Sequence, residues 1–119
     1  MMIFTSGGGI AGLGSNYAVS TDQSYTANTT VSYTFSFTPV IFGAYMRCTV
    51  ADNGFSVGDI INLGTESVFD GTNSFATTVY RTGATVKHAN RGAIWGSSPT
   101  AGWAAFTPGR WAIVFWAIG

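Results

Sequence analysis

The sequence predicts an all-β protein: an antiparallel, jelly-roll-like β-sandwich of about eight short strands. No segment combines helical apolar spacing with helix-forming residues, and Leu, Glu and Lys together occur only four times. Segments that alternate apolar and polar residues follow one another, with Gly, Pro or Asn in the turns between them. Short strands separated by turns at roughly ten-residue intervals indicate a sandwich or a barrel.

The N-terminal residues 1–16 are predicted to form an extended, Gly-rich arm outside the sandwich. Five glycines within residues 7–14 disfavour both helix and strand. A flexible linker is normally polar throughout, yet this segment carries four large apolar side chains: Ile3, Phe4, Ile10 and Leu13. We therefore expect an attachment arm that becomes ordered against a partner, with a frayed terminus as the alternative. Residues 17–119 form the sandwich domain.

The strands of this domain follow in order, each ended by turn-forming residues. Asp52, Asn53 and Gly54 predict a turn because these residue types tolerate positive φ. Asp59 is expected to fix the next turn by accepting hydrogen bonds from backbone N–H groups. The composition of residues 64–73 predicts a surface loop. The predicted strands are 17–23, 31–37, 40–50, 55–63, 74–81, 84–89, two short strands within 92–109, and 110–119.

The last strand is apolar on both of its faces after Arg110. An antiparallel sheet usually leaves one face to water, so this strand must be covered on both sides. We expect a second sheet to cover one face and a neighbouring copy of the chain to cover the other. The side chains that are candidates for an oligomer interface are Trp111, Ile113, Val114, Phe115, Trp116 and Ile118.

Charged residues make up only 8% of the chain, against roughly 25% in ordinary soluble domains. A surface with so little charge favours contact with other proteins. The five basic and five acidic residues cancel, and no basic run provides the dense positive surface that nucleic acid binding requires. The acids lie within residues 22–70 and four of the bases within residues 81–110, so we expect pairing across a sheet or between subunits.

Targeting and membrane signals are absent from the sequence pattern. The first basic residue is Arg47, so no basic region precedes an apolar signal segment. The longest apolar run, Trp111 to Ile118, is far shorter than a membrane-spanning helix. We expect a protein made in the cytoplasm that does not insert into membranes. The single Cys48 lies within a predicted strand and is interpreted as a small buried residue.

No residue pattern predicts catalysis, a cofactor or a metal ion. His88 is the single histidine and has no nucleophile motif to accompany it, so a structural or a surface position is expected. Glu66 and Asp70 are neighbours in a predicted loop, a poor arrangement for a glycosidase pair, which acts across a cleft. Asp52, Asp59 and these two acids lack the spacing of a calcium-binding loop. The chain is therefore predicted not to be an enzyme.

Three aromatic residues, Phe69, Trp95 and Trp103, fall in predicted loops or short strands among small polar residues. An exposed aromatic face can stack on a sugar ring, so these residues are candidates for receptor or glycan contact. The alternative is that they fill the ends of the sandwich or a subunit contact.

Three sequence landmarks, taken in order, resemble a known protein family. They are Val-Ile-Phe-Gly-Ala-Tyr-Met-Arg-Cys-Thr-Val at 40–50, Asn-Gly-Phe-Ser-Val-Gly-Asp at 53–59 and Gly-Arg-Trp-Ala-Ile-Val-Phe-Trp-Ala-Ile at 109–118. Together they resemble the small β-sandwich domain at the C-terminal ends of tail fibres and related structural proteins of tailed bacteriophages. The resemblance covers about residues 17–119, and the turn at 53–59 is its most specific part.

This resemblance implies a virion protein, usually a homotrimer, with no enzymatic activity. The arm would attach the protein to other virion proteins, and exposed loops would face the host, with a surface glycan as a candidate ligand. A capsid decoration protein that stabilises the shell is one alternative. A free carbohydrate-binding module is another.

Overall fold

The computed structural model describes residues 16–69, 74–100 and 102–119, which form eleven strands and no helix. The all-β fold is confirmed. Within these residues there is no helix of the length and hydrophobicity needed to span a membrane. The strands are β1 (Tyr17–Val19), β2 (Gln23–Ser24), β3 (Thr30–Thr34), β4 (Ile41–Cys48), β5 (Ile60–Leu63), β6 (Glu66–Phe69), β7 (Ser74–Thr82), β8 (Thr85–Arg91), β9 (Trp95–Ser97), β10 (Trp103–Ala105) and β11 (Trp111–Ile118).

Two antiparallel sheets form the sandwich. The first has the order β1-β11-β4-β5, with β2 also paired to β11, and the second has the order β3-β8-β7-β6. In the second sheet, β6, β7 and β8 form a meander. Strand β3 is separated from β6 along the chain by β4 and β5 of the first sheet, and it pairs with β8. The four strands of the second sheet therefore have a Greek-key order. A separate hairpin, β9–β10, forms a third, two-stranded sheet.

Side chains from both sheets meet in one core. Met46, Ile113 and Phe115 from the first sheet and Val86 from the second are completely buried. Burial of such large apolar side chains stabilises the fold by about 1.5–3 kcal/mol each. His88 follows Val86 on the same face of β8 and is equally buried. The alternating burial of β8 is the pattern predicted from its sequence.

The predicted first strand, residues 17–23, is interrupted at Ser20. The backbone N–H of Ser20 donates to the carbonyl oxygen of Phe115 at 2.7 Å. The N–H of Phe115 in turn donates to the hydroxyl oxygen of Ser20 at 2.9 Å, so a side-chain oxygen replaces a ladder carbonyl. Because this contact breaks the regular ladder, the strand divides into β1 and β2.

The sandwich begins one residue earlier than predicted, at Asn16, the last residue of the predicted arm. Asn16 and Gly119 exchange two backbone hydrogen bonds of 3.0 Å, which extends the pairing of β1 with β11. The other arm residues, including Ile3, Phe4, Ile10 and Leu13, lie outside the described residues. Their predicted attachment role therefore stays a prediction.

The long strand predicted at residues 40–50 is present as β4, shortened at both ends. Met46 and Cys48 on its predicted core face are buried. Val40 and Val50 lie beyond the strand and are 55% and 49% exposed. Burial raises the pKa of the Cys48 thiol, as expected for a cysteine that serves as a small core residue.

The predicted surface loop at residues 64–73 is wrong in part, because it contains β6. Glu66 to Phe69 pair with β7; Val68 and Phe69 favour a strand, but the Gly, Thr, Asp and Asn residues on either side of them indicated a loop. The edge of the next strand, β7, supplies the hydrogen-bonding partner, and this hairpin pairing outweighs the loop-like composition around β6. Residues 70–73 lie outside the described residues.

The strand predicted at residues 55–63 begins only at Ile60, because a turn occupies the residues before it. Gly58 has φ 96°, a left-handed conformation that favours glycine. The Asp59 carboxylate accepts a hydrogen bond of 2.8 Å from the backbone N–H of Ser56. The predicted role of Asp59 in fixing this turn is confirmed.

Other predicted turns are confirmed where the sequence placed them. Asn53 and Gly54 have φ values of 51° and 88°. Gly83, with φ 60°, connects β7 to β8. The two short strands predicted within residues 92–109 are β9 and β10. Glycine and asparagine occupy these positions because they adopt positive φ with little steric cost.

The single chain itself covers both faces of β11, which corrects the expectation that a neighbouring copy must cover one of them. Most of the predicted interface side chains are at most 5% exposed: Trp111, Ile113, Val114, Phe115 and Ile118. These five have almost no surface left to offer a partner. Trp116 alone of the predicted set is partly exposed, and its indole lies over Gly43.

One intramolecular ion pair joins the described residues Asp22 and Arg47. Arg47 donates through both guanidinium nitrogens, and the Nη1–Oδ1 distance is 2.9 Å. The hydrogen bond from Arg47 holds the pKa of Asp22 below its ordinary value. Both residues precede residue 50, so this pair does not join the acidic segment to the later basic one. Arg110 instead donates to the carbonyl oxygen of Ala51 at 2.6 Å.

Candidate ligand-binding site

The β9–β10 hairpin carries a stacked pair of tryptophans. Trp95 is paired with Ala105 and Trp103 with Ser97, so the two indoles are diagonal neighbours on one face of the hairpin. Their ring centroids lie 5.4 Å apart and their planes differ by 20°. Trp103 also contacts Phe75 of β7 at a centroid distance of 6.3 Å. Even so, 55% of Trp103 remains exposed.

The base of the hairpin is fixed by the buried hydroxyl of Tyr25. The backbone N–H of Ile94 donates to this oxygen at 2.7 Å, and the hydroxyl donates to the carbonyl oxygen of Phe106 at 3.3 Å. The N–H of Phe106 closes the hairpin on the carbonyl oxygen of Ile94 at 2.9 Å. Burial is the main cause of the raised pKa of Tyr25, so the phenol stays neutral and can donate.

The turn at residues 52–55 holds the chain just after the hairpin. The buried Asp52 carboxylate accepts hydrogen bonds from the N–H and hydroxyl of Thr107, both at 2.8 Å, and from the indole N–H of Trp111 at 3.0 Å. Burial alone would raise the pKa of Asp52. The hydrogen bonds from Thr107 and Trp111, with the charge of Arg110, outweigh burial and lower it.

The same turn also contacts the hairpin directly. The Asn53 side-chain amide donates to the carbonyl oxygen of Ala105 at 2.9 Å. The hydroxyl of Thr100 donates to the backbone oxygen of Asn53 at 3.2 Å. A Cβ atom at Gly54 would lie 2.7 Å from the Thr100 side chain. The motif that carries the family resemblance thus positions the tryptophan hairpin.

A groove opens between the hairpin and the edges of the two sheets, with a volume of about 200 Å³. Apolar lining comes from Phe55 and Phe106 beneath and from Phe75 and Trp95 at the sides. Glu66, at the free edge of the second sheet, also lines it. The groove therefore combines aromatic walls with a carboxylate at its edge.

A glycine brings the hairpin close to the core beneath it. Gly96 lies over the Phe106 ring, and a Cβ atom there would come within 3.0 Å of that ring. Phe106 packs in turn against Phe55 and Trp111, with centroid distances of 5.9 and 5.4 Å. The hairpin thus rests on a buried aromatic cluster.

The structure brings together Trp95 and Trp103, two of the three residues predicted to contact a receptor or glycan. The backbone of Phe69 pairs with Ser74 at the end of β6, and its side chain lies outside what the structure describes. The alternative that the tryptophans fill the end of the sandwich applies in part to Trp95, which is partly buried. It does not account for Trp103.

His88, considered as a possible general base, is enclosed in the core. Burial lowers its pKa to about 4, and neither ring nitrogen has a hydrogen-bond partner among the described residues. Within the same residues, no group of three or more His, Cys, Asp or Glu side chains is arranged to hold a metal ion. Asp52 and Asp59 each serve a turn, as their hydrogen bonds show.

Sequence reasoning missed Tyr25 and understated Asp52. Tyr25 lies between β2 and a polar turn, and nothing in its neighbourhood distinguishes it from an exposed turn residue. Asp52 was recognised as a turn former, but its partners Thr107 and Trp111 are more than fifty residues away in the chain. An aspartate in a turn is only a weak sequence signal of a contact with such distant residues.

Comparison of the chain with protein families, with curated proteins and with solved structures gives no match.

Proposed function

We propose that this chain is a non-enzymatic bacteriophage virion protein of the tail-fibre type, in which the β9–β10 hairpin contacts the host surface. One observation carries the contact role. Trp103 keeps 55% of its surface exposed although it is stacked on Trp95 and flanked by Phe75. A large aromatic side chain that is both held in place and open to solvent is typical of a recognition surface.

Rigid support of the hairpin adds to this argument. Hydrogen bonds that Tyr25 accepts and donates, that the Asp52 carboxylate accepts and that the Asn53 amide donates fix the hairpin and the segment after it. Ordering a side chain on binding costs free energy, so a preorganised aromatic pair binds more tightly than a mobile one. The arrangement is suited to recognition on a stable scaffold.

The virion assignment rests on the sequence landmarks, and their positions in the fold support it. Residues 40–50 and 109–118 provide β4 and β11, which pair along their whole length at the centre of the first sheet. Residues 53–59 provide the turn that contacts the hairpin. The resembling segments are therefore neighbours in space, as parts of one domain are expected to be.

The contact role is tested by adsorption of labelled, purified chain to cells of the bacterial host. We expect Trp103→Ala to reduce adsorption about tenfold while the melting temperature stays close to that of the wild type. Val40→Ala is the matched control, because Val40 is 55% exposed and precedes β4, at the opposite end of that strand from the turn that contacts the hairpin. A Trp103→Ala chain that adsorbs like the control would contradict host contact through the hairpin.

A capsid decoration protein is the second candidate, favoured by the outer face of the first sheet. Tyr17, Val19 and Ile60 are 66%, 44% and 58% exposed there, beside Trp116. Such an apolar surface is suited to packing on other virion proteins. Antibodies against the chain, visualised on phage particles, distinguish the two: labelling at the tail tip supports the fibre type, and labelling over the head supports decoration.

A further inference from the structure

We propose that the groove beneath the β9–β10 hairpin binds a single neutral sugar ring of a surface glycan and excludes acidic sugars. This inference rests on the proposed host contact and names its ligand class.

The volume of the groove is suited to a single sugar ring. Its volume of about 200 Å³ equals that of roughly seven liquid water molecules and lies below the roughly 300–1,000 Å³ of sites for drug-sized ligands. It opens where the two free sheet edges, β5 and β6, meet the hairpin. A terminal residue of a longer glycan fits such an opening, because the rest of the chain can extend into solvent.

The carboxylate of Glu66 belongs to the groove side of the second sheet. Glu66 is paired with Thr77, and directly paired residues of an antiparallel ladder place their side chains on the same face. Thr77 is 5% exposed and faces the core. Glu66 occupies the same face on an edge strand, which directs its carboxylate to the groove rim rather than to the outer surface.

The hairpin supplies a second polar group. Ser97 is paired with Trp103, so its hydroxyl lies on the face that carries both tryptophans, and it lines the groove. Among the described residues neither Glu66 nor Ser97 has a side-chain hydrogen-bond partner, and Thr77 already donates to Gly64. Glu66 and Ser97 therefore have hydrogen-bonding capacity available for a ligand.

These groups complement the two sides of a sugar ring. The apolar C–H face of a sugar packs on an aromatic surface such as Trp95, while its hydroxyl groups donate to a carboxylate and exchange hydrogen bonds with a hydroxyl. Hydrogen bonds to a charged acceptor are about twice as strong as neutral ones, so Glu66 is the main polar anchor. A purely apolar ligand would bury this carboxylate without compensation.

The charge of the groove sets its specificity. Of the described residues that line it, Glu66 is the one charged residue, and none is Lys, Arg or His. A carboxylate or phosphate on the ligand would meet this negative charge, and the described lining residues supply no cation to offset it. Sialylated, uronic-acid and phosphorylated ligands are therefore disfavoured, and nucleic acids with them.

The test measures binding of the purified chain to immobilised glycans that end in a neutral hexose, and to the same glycans capped with sialic acid. Tryptophan fluorescence during titration with methyl hexosides gives the affinity in solution. We expect binding to the uncapped glycans, loss on capping, and about tenfold weaker binding for Glu66→Gln, which keeps the side-chain size. Ser97→Ala should cause a smaller loss. Asp22→Asn is the matched control, since Asp22 lies on the β1 and β2 side of the first sheet and not in this groove.

The possible results distinguish a failure of the sugar site from a failure of the proposed host contact. Equal binding of capped and uncapped glycans, or a Glu66→Gln variant that binds like the wild type, overturns the sugar assignment. A chain that adsorbs to host cells through Trp103 yet binds no neutral glycan also overturns it and leaves the proposed function standing. A chain that binds neutral glycans through Glu66 but does not adsorb to host cells supports the site and contradicts the host contact.

Discussion

The indole N–H of Trp111 donates a hydrogen bond of 3.0 Å to the buried carboxylate of Asp52. This contact ties the first residue of the last strand to the turn after β4. Because Thr107 bonds to the same carboxylate, the turn, the end of the β9–β10 segment and the central strand are held by one side chain. The stability of the candidate site therefore depends on a residue outside the groove.

Asp52→Ala is expected to lower the free energy of unfolding by about 3 kcal/mol, because it leaves buried donors of Thr107 and Trp111 without an acceptor. Urea denaturation followed by tryptophan fluorescence measures the change. Asp59→Ala is the control, since Asp59 is exposed and serves one backbone N–H, and it should cost clearly less. Equal losses in the free energy of unfolding of the two variants would show that the buried hydrogen bonds of Asp52 stabilise the fold no more than the exposed one of Asp59.

Acid sensitivity should reflect the lowered pKa of Asp52. Stabilisation from a carboxylate of this kind is fully present above its ordinary pKa of 3.8 and is lost as the pH falls through the lower folded value. The wild type should thus lose stability below about pH 3.8, whereas Asp52→Asn should be less stable at neutral pH and less sensitive in this acid range. Unfolding curves at pH 2.5 to 5 measure both effects, and parallel curves for the two proteins would contradict the prediction.

His88 should make stability fall in a separate, higher pH range. Its pKa is about 4 in the fold against 6.5 ordinarily, so between these values the unfolded chain takes up a proton that the folded chain does not. Stability is full above pH 6.5, falls as the pH drops towards 4, and has lost about 3 kcal/mol below that. His88→Leu should remove this slope without loss at pH 7, because it replaces two unpartnered nitrogens. If the pH dependence of stability persists in the His88→Leu variant, other titrating groups cause it.

Gly43 and Trp116 should be strongly coupled. A Cβ atom at residue 43 would lie 2.6 Å from the Trp116 ring, which cannot yield as the end of a flexible side chain can. Gly43→Ala should therefore destabilise the fold by about 1–3 kcal/mol. In the Trp116→Ala background the same change should cost much less, so the double-mutant cycle measures the coupling. Additive effects would mean that the ring moves away without cost.

Self-association should occur through the outer face of the first sheet. Tyr17 and Val19 pair with Ile118 and Trp116 and are themselves 66% and 44% exposed, so they present apolar surface on that face. We expect light scattering to show an oligomer, with a trimer favoured by the family resemblance, and Val19→Lys to shift it towards the monomer without unfolding. Lys at the exposed Thr26, away from this strand, is the control. A 12.5 kDa species alone at micromolar concentration would contradict the proposal.

Local sequence patterns are sufficient to predict the fold class and most of the turns. Alternation in residues 84–89 predicted that Val86 and His88 share a face, and glycine or asparagine marked the turns at 53, 54 and 83. These signals are local, because the side-chain period of a strand and the steric demand of positive φ act over a few residues.

The contacts between residues that are distant along the chain depend on the packing of the whole fold. The cover over Val114 comes from within the single chain and not from a second copy. The stack of Trp95 on Trp103 follows from the register of a short hairpin. The position of that hairpin depends on Tyr25 and Asp52, whose partners are more than fifty residues away along the chain. Long-range pairing and burial are properties of the whole packed chain, so no local pattern records them.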